Sequence, residues 1–334
     1  MSNDWFQRLF GFAESDYDTT RHQFTLEGST LRSMANGRAF GVGEFSTPTL
    51  GALRERVAGL RRGPCKVTHE IVHDVLELHA LPENRGATFQ VASQFNCLEF
   101  ADPREVPEDG VTQYANDPTQ GPACALAAAG ATVYRNYFAP VGEQRGQTTD
   151  RQLNNLDELA AELGASGAFF DVRNGYTWSD ETRLARLRDV LAEQDRDALL
   201  ATIKIGLQSN VDVTFASRYV EPSEPTTVHQ AFCSAVSCGY TTIGLDHWEP
   251  LATMALDAAY EATLCAAALA ADSSNRVWLT FLGGGAFGNR GEWIAGAIGR
   301  ALRRANDFGL DVRIAHYRRL QTALAEAITD AAAG

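Results

Sequence analysis

The 334-residue sequence predicts an α/β domain with helices layered on a central mixed β-sheet. Strand-like apolar runs alternate with helical patterns along most of the chain, which is the signature of such a layered domain. A long alanine-rich stretch, His247–Ala271, predicts a helix of mostly small residues. Directly after it, Val277–Tyr317 reads as strand, glycine-rich turn, helix and strand, a βαβ unit.

The elements follow in order. Residues 1–64 predict an N-terminal extension packed on the core, with a strand over Gln23–Leu31 and a helix opened by Thr47-Pro48. The core is expected over 65–334, with an insertion at about 141–220. Residues 65–100 alternate like strands and end in FQVASQFNCLEF, and 101–121 are loop. Gly121-Pro122 opens a small-residue helix, Ala123–Ala131. Two helices are expected near Leu153–Leu163 and Ser179–Glu193, separated by FFDVRNGY with a turn at Asn174-Gly175. Residues 201–240 read as strands, and the chain ends in a helix over Leu320–Ala332.

Composition narrows the function. Lys+Arg 29 against Asp+Glu 42 gives a net charge of −13, so sequence-independent nucleic-acid binding is not expected. The six cysteines are scattered without a C-x-x-C pair and predict buried thiols in a reducing compartment. The N-terminus lacks the pattern of a signal peptide, and no run approaches the ~18 apolar residues of a membrane span. A cytoplasmic protein is the expectation.

The turn of the βαβ unit carries the chemistry. It lies at the carboxyl end of a parallel strand, where open α/β sheets bind ligands. Glycines there leave amide N–H groups unscreened, and the following helix start adds partial positive charge. A phosphate or diphosphate suits it. The turn matches neither G-x-x-x-x-G-K-[ST] nor an N-terminal G-x-G-x-x-G, which disfavours a mononucleotide P-loop and an ordinary dinucleotide dehydrogenase.

Gly285-Ala286-Phe287-Gly288, after a hydrophobic strand and before a helix, resembles the second phosphate loop of macrodomains, especially the poly(ADP-ribose) glycohydrolase branch. The resemblance implies a three-layer macrodomain-like fold. It also implies that Gly283, Gly284, Gly285, Ala286, Phe287, Gly288 and Asn289 hold the diphosphate and distal ribose of ADP-ribose. His73-Asp74-Val75 resembles the macrodomain turn whose Asp contacts adenine, which assigns that role to Asp74, although His73 replaces the customary glycine. The segments QFNCLE, TQGPACA, YRNYF, RNGY, YEATL and LGGGAFGN also look like an uncharacterised bacterial protein family over roughly 40–317.

FQVASQFNCLEF turns polar at Ser93, Gln94 and Asn96. Carboxamides at the end of a core strand need partners, either ligand hydroxyls or loop backbone. By the macrodomain resemblance Asn96, with Gln94 in reserve, holds the distal ribose. Glu99, flanked by Leu98 and Phe100, is expected to be desolvated and suited to acid–base work, with Asp109 a distant second; pairing with an arginine is the other reading. Thr119-Gln120-Gly121-Pro122 occupies the place of the first phosphate loop in chain order, so Thr119 and Gly121 are candidate ligand contacts and Gln120 a candidate to orient water. The triple-glycine loop of poly(ADP-ribose) glycohydrolases is missing at this place, and so is their paired-glutamate motif. Tyr176 is a candidate adenine partner, and Glu261 either faces the pocket or pairs with an arginine.

HEIVHDVLELH (His69–His79) contains the zincin pattern His69-Glu70-x-x-His73, with His79 where metzincins place a third ligand. On a helix the first two histidines share a face. Lys66-Val67-Thr68 and Ile71-Val72 instead favour a strand, which puts His69 and Glu70 on opposite faces, and Leu76 stands where metzincins have glycine. A zinc hydrolase is therefore the minor alternative, and neither metal nor cofactor is expected. The leading expectation is a protein that binds ADP-ribose or a related NAD-derived nucleotide and hydrolyses an ADP-ribosyl linkage; a non-catalytic reader is the second.

Overall fold

In the computed structural model, which describes residues 4–164, 166–217 and 219–333, a seven-stranded mixed sheet forms the centre. Its strands in chain order are β1 (Glu44–Ser46), β2 (Lys66–Val72), β3 (Thr88–Ala92), β4 (Gly206–Asp212), β5 (Thr227–Cys233), β6 (Arg276–Leu279) and β7 (Asp311–Tyr317). The spatial order is β1-β4-β5-β3-β6-β7-β2. Strands β5, β3, β6, β7 and β2 run parallel, whereas β4 is antiparallel to both β5 and β1. The parallel block brings the carboxyl ends of β5, β3 and β6 side by side, which is where a ligand crevice is expected.

Helices cover both faces. On β3, Gln90 donates to Thr263 of the long helix α5 (Leu245–Ala270). Its neighbour Phe89 points the other way and stacks on His79 of α2 (Val75–His79) with ring centroids 3.8 Å apart. Alternate side chains of a strand must face opposite sides, so these contacts define the two layers. The alanines of α5 let it lie against the sheet, and nearly every residue from Leu251 to Ala268 is buried. The helix after β6, α6 (Gly291–Arg304), packs on α5 and on the C-terminal helix α7 (Thr322–Ala333). No helix among the described residues is long and apolar enough to cross a membrane.

The expected small-residue helix is two helices, α3 (Gln120–Ala127) and α4 (Ala129–Tyr137), parted at Ala128 with φ −123° and ψ 58°. Thr214 N–H bonds to Ala127 C=O at that break, and Thr132 Oγ1 donates to Ala125 C=O. The N-terminal residues seat Trp5, Phe6, Phe10, Tyr17, Phe24 and Phe40 in one aromatic cluster against these two helices. Both outlying segments also feed the sheet: β1 lies within 1–64 and β4 within 141–220. The strand expected at Ala201–Leu207 starts only at Gly206, because Arg196–Thr202 is a helix capped by Asp195. The FFDVRNGY turn is a hairpin, with Asn174 at φ 49° and Gly175 at φ 74°.

Candidate functional site

The glycine-rich loop is anchored from below as it leaves β6. Tyr260, fully buried on α5, donates its hydroxyl to Thr280 C=O at 2.6 Å and accepts Leu282 N–H at 2.9 Å. Gly283 then turns with φ 70°, and a Cβ there would collide with the Ala235 methyl group. Asn289 closes the loop: its N–H bonds to Gly283 C=O at 2.9 Å, and its Nδ2 donates to Val236 C=O at 2.8 Å. Gly239 N–H bonds to Phe287 C=O at 2.8 Å, so the segment after β5 holds the loop from the side.

What this leaves over is the important part. Gly284, Gly285 and Ala286 are exposed, and the N–H groups of Gly285, Ala286 and Phe287 have no acceptor among the described residues. The buried Asn289 Oδ1 also lacks a partner. Helix α6 begins immediately afterwards without a side-chain cap. Unmet amides at a helix start form an anion site. Phe287 sits on the flank, its ring 5.4 Å from Tyr176 and 5.7 Å from Tyr240.

The polar end of β3 behaves differently. Gln94 donates Nε2 to Phe100 C=O at 2.9 Å and accepts Phe100 N–H at 3.0 Å. Asn96 accepts Leu98 N–H at 3.1 Å and donates to Gln152 Oε1 at 2.8 Å. Gln120 accepts Ala92 N–H at 2.7 Å and donates to Gln90 C=O at 2.8 Å, completing the ladder where β3 ends. Each carboxamide has both ends bonded within the protein. Gly121 is where α3 meets β3, since a Cβ would collide with Ala92 C=O. Thr119 is exposed beside it, its N–H bonded to Asp117 Oδ1.

Glu99 is wholly buried. Both its oxygens take Arg135 Nη2 at 3.1 Å, and the guanidinium lies 3.8 Å from the centre of the Phe232 ring. Arg135 also donates to Cys97 C=O and Gln208 Oε1. Burial pushes the Glu99 carboxyl up to about 7 against the downward pull of Arg135. Arginine 36 positions along the chain was not readable as its partner. A cavity of about 250 Å³ opens against Glu99, with Ala101, Glu105, Gln113, Tyr114, Asn116, Asp117 and Pro118 around it. Asp109 lies apart, exposed and capping its own turn through Val106 N–H. Glu261 is held by Arg54 and Arg304 and is structural. Tyr176 is 1% exposed and donates to Phe100 C=O, so its ring supports Phe287 and offers no open face for adenine.

At the far end of the crevice, the HEIVH segment is strand β2 followed by α2. Glu70 pairs with Arg313, His73 is exposed, and His79 is sealed under Phe89. His69 bonds His316 of β7 at 2.8 Å. His316 Nδ1 accepts Gln321 N–H, so its proton sits on Nε2 and is donated to His69 Nδ1. Burial lowers both imidazoles from their ordinary value. No group of three or more His, Cys, Asp or Glu among the described residues is arranged to hold a metal ion, and the strand geometry dismantles the zincin reading. Asp74 is the exposed N-cap of α2, bonded to Leu76 N–H. Two residues before it, Val72 pairs with Tyr317, which is 57% exposed at the end of β7 with the Arg318 guanidinium 4.8 Å from the centre of its ring. Sequence reading missed Tyr317; its signal is an aromatic at the end of an otherwise alternating strand.

No model of a known protein family matches the chain, and neither does any curated protein. Solved structures do. The poly(ADP-ribose) glycohydrolase of Deinococcus radiodurans, crystallised with ADP-ribose, superposes with a TM-score of 0.51 over 86% of this chain and 93% of its own, at 14% identity. The poly(ADP-ribose) glycohydrolase of Thermomonospora curvata gives 0.47 over 94% and 95%, at 12% identity. Likeness at this identity speaks for architecture, and with the sheet order and the loop after β6 it shows that the chain has the macrodomain-like α/β fold of bacterial poly(ADP-ribose) glycohydrolases.

Proposed function

We propose that the crevice at the strand ends binds ADP-ribose and that the protein hydrolyses an ADP-ribosyl linkage. The observation that carries this reading is the run of unpartnered amides at Gly285, Ala286 and Phe287 ahead of α6. The D. radiodurans relative in fold, crystallised with ADP-ribose, supports the nucleotide as their guest. The diphosphate lies on Gly283–Asn289, with Thr119 and Gly121 at the start of α3 as further contacts. The distal ribose packs against Phe287, and adenine lies between Asp74 and the exposed Tyr317. Asn96, Gln94 and Gln120 act by shaping the end of β3 rather than by touching the ligand. Six free cysteines, five of them buried, support a reducing, cytoplasmic setting.

For chemistry at the anomeric carbon, an oxocarbenium-like transition state needs a carboxyl group that gives or takes a proton. Glu99 is the candidate, because a carboxyl pushed up to about 7 holds both forms at neutral pH. Calorimetric titration with ADP-ribose is the first test: absence of binding at millimolar ligand ends the proposal. Glu99→Gln should retain binding and lose turnover, and the wild-type rate should show a limb near pH 7. A non-catalytic reader is the second reading, favoured by the grip of Arg135 on both Glu99 oxygens. A reader releases nothing from ADP-ribosylated protein or O-acetyl-ADP-ribose, which separates the two.

A further inference from the structure

The cavity beside Glu99 is too small for a nucleotide and has a distinct chemical character. Its volume, about 250 Å³, suits a side-chain-sized group. Three carboxylates line it, Glu99, Glu105 and Asp117, and no Lys or Arg does. Glu105 uses Oε2 on the N–H groups of Ala101 and Asp102, and Asp117 uses Oδ1 on Thr119 N–H. Glu105 Oε1 and Asp117 Oδ2 have no hydrogen-bond partner among the described residues. Arg104, the nearest cation in sequence, is turned out to solvent on Asp102.

A second observation points to an occupant. Tyr114 is 2% exposed and lines the cavity, and its hydroxyl accepts Glu99 N–H at 3.0 Å. Its own O–H has no acceptor among the described residues, and a buried donor without one calls for an oxygen from outside the protein. The cavity also adjoins the nucleotide loop. Tyr240, packed on Phe287, reaches Ala101 C=O at the cavity wall.

We propose that this cavity receives the group to which ADP-ribose is attached, and that this group is a guanidinium, so that the substrate class is ADP-ribosylated arginine. The inference rests on the nucleotide reading above. The free carboxylate oxygens of Glu105 and Asp117 take the guanidinium N–H groups, as planar cations pair with carboxylates. Tyr114 O–H takes a ribose oxygen at the linkage. The next unit of an ADP-ribose polymer is anionic and too large, and the carboxylates repel it. Hydrolysis breaks the C–N bond with its electron pair left on the guanidine nitrogen. Water supplies hydroxide to the anomeric carbon and its remaining proton to that nitrogen, so guanidinium and ADP-ribose are released.

The test titrates the full chain with ADP-ribose, an ADP-ribosyl-arginine peptide, an ADP-ribosyl-glutamate peptide and a short ADP-ribose polymer. The arginine-linked peptide is expected to bind about tenfold or more tighter than ADP-ribose, and the other two no tighter. In Asp117→Asn, and separately in Glu105→Gln, that ratio should fall towards one. If ADP-ribose binds and the arginine-linked peptide shows no advantage, or the advantage survives both substitutions, the cavity assignment is overturned while the nucleotide site stands. If ADP-ribose itself does not bind, both fall together.

Discussion

The ends of two neighbouring strands make opposite use of the same position. After β3 come polar side chains, Gln94, Asn96 and Glu99, and each is bonded inside the protein. After β6 come residues with almost no side chain, and their amides are left open. The polar end builds the wall of the crevice, and the plain end offers the unpaired donors. Hydrogen-bonding capacity in a sequence is therefore a poor guide to a ligand site unless something keeps that capacity unmet.

Substitutions at the two ends should separate along the same line. The largest effect is expected at Glu99→Ala, which strands the buried Arg135 guanidinium and costs ~3–5 kcal/mol of stability; a urea unfolding midpoint close to wild type would mean that the pair is not structural. His79, beneath the same strand, gives the next effect. Its folded pKa is lowered to about 4 because burial disfavours the cation. A lowered histidine contributes stability above its ordinary value, and that contribution drains away as pH falls from about 6.5 to about 4, by about 3 kcal/mol in all. His79→Gln should flatten this part of the pH–stability curve. Asn96→Ala should cost ~1–3 kcal/mol, by leaving Leu98 N–H and Gln152 without partners. Smallest in stability is Gly285→Glu, because a Cβ there meets nothing within 4 Å. A change within ~0.5 kcal/mol is expected, together with loss of ADP-ribose binding measured by calorimetry. Retained affinity in this variant would remove the loop from the site.

Much of this was legible in one dimension. The βαβ unit, the alanine-rich α5, the hairpin at Asn174-Gly175 and the strand character of HEIVH all follow from local pattern, and local pattern decides them. The hydrogen-bond partners of Gln94, Asn96 and Gln120 were not legible. A carboxamide at a strand end looks the same whether its partner is a ribose or the carbonyl of Phe100. Likewise the fork from Arg135 to Glu99, and that from Arg54 to Glu261, join positions that only the fold brings together. Tyr317 emerged from register and exposure combined.

The loop after β6 is held in shape by Asn289, Val236 and Gly239 before anything arrives. A loop already ordered by the protein carries little ordering cost on binding, so encounter rather than rearrangement is expected to set how fast a ligand docks. On the proposed reading that encounter brings a diphosphate to a chain of net charge −13. The two repel at long range, and salt shortens that range to about 8 Å at physiological ionic strength. Stopped-flow association should therefore accelerate as salt is added, the reverse of what an electrostatically steered site shows.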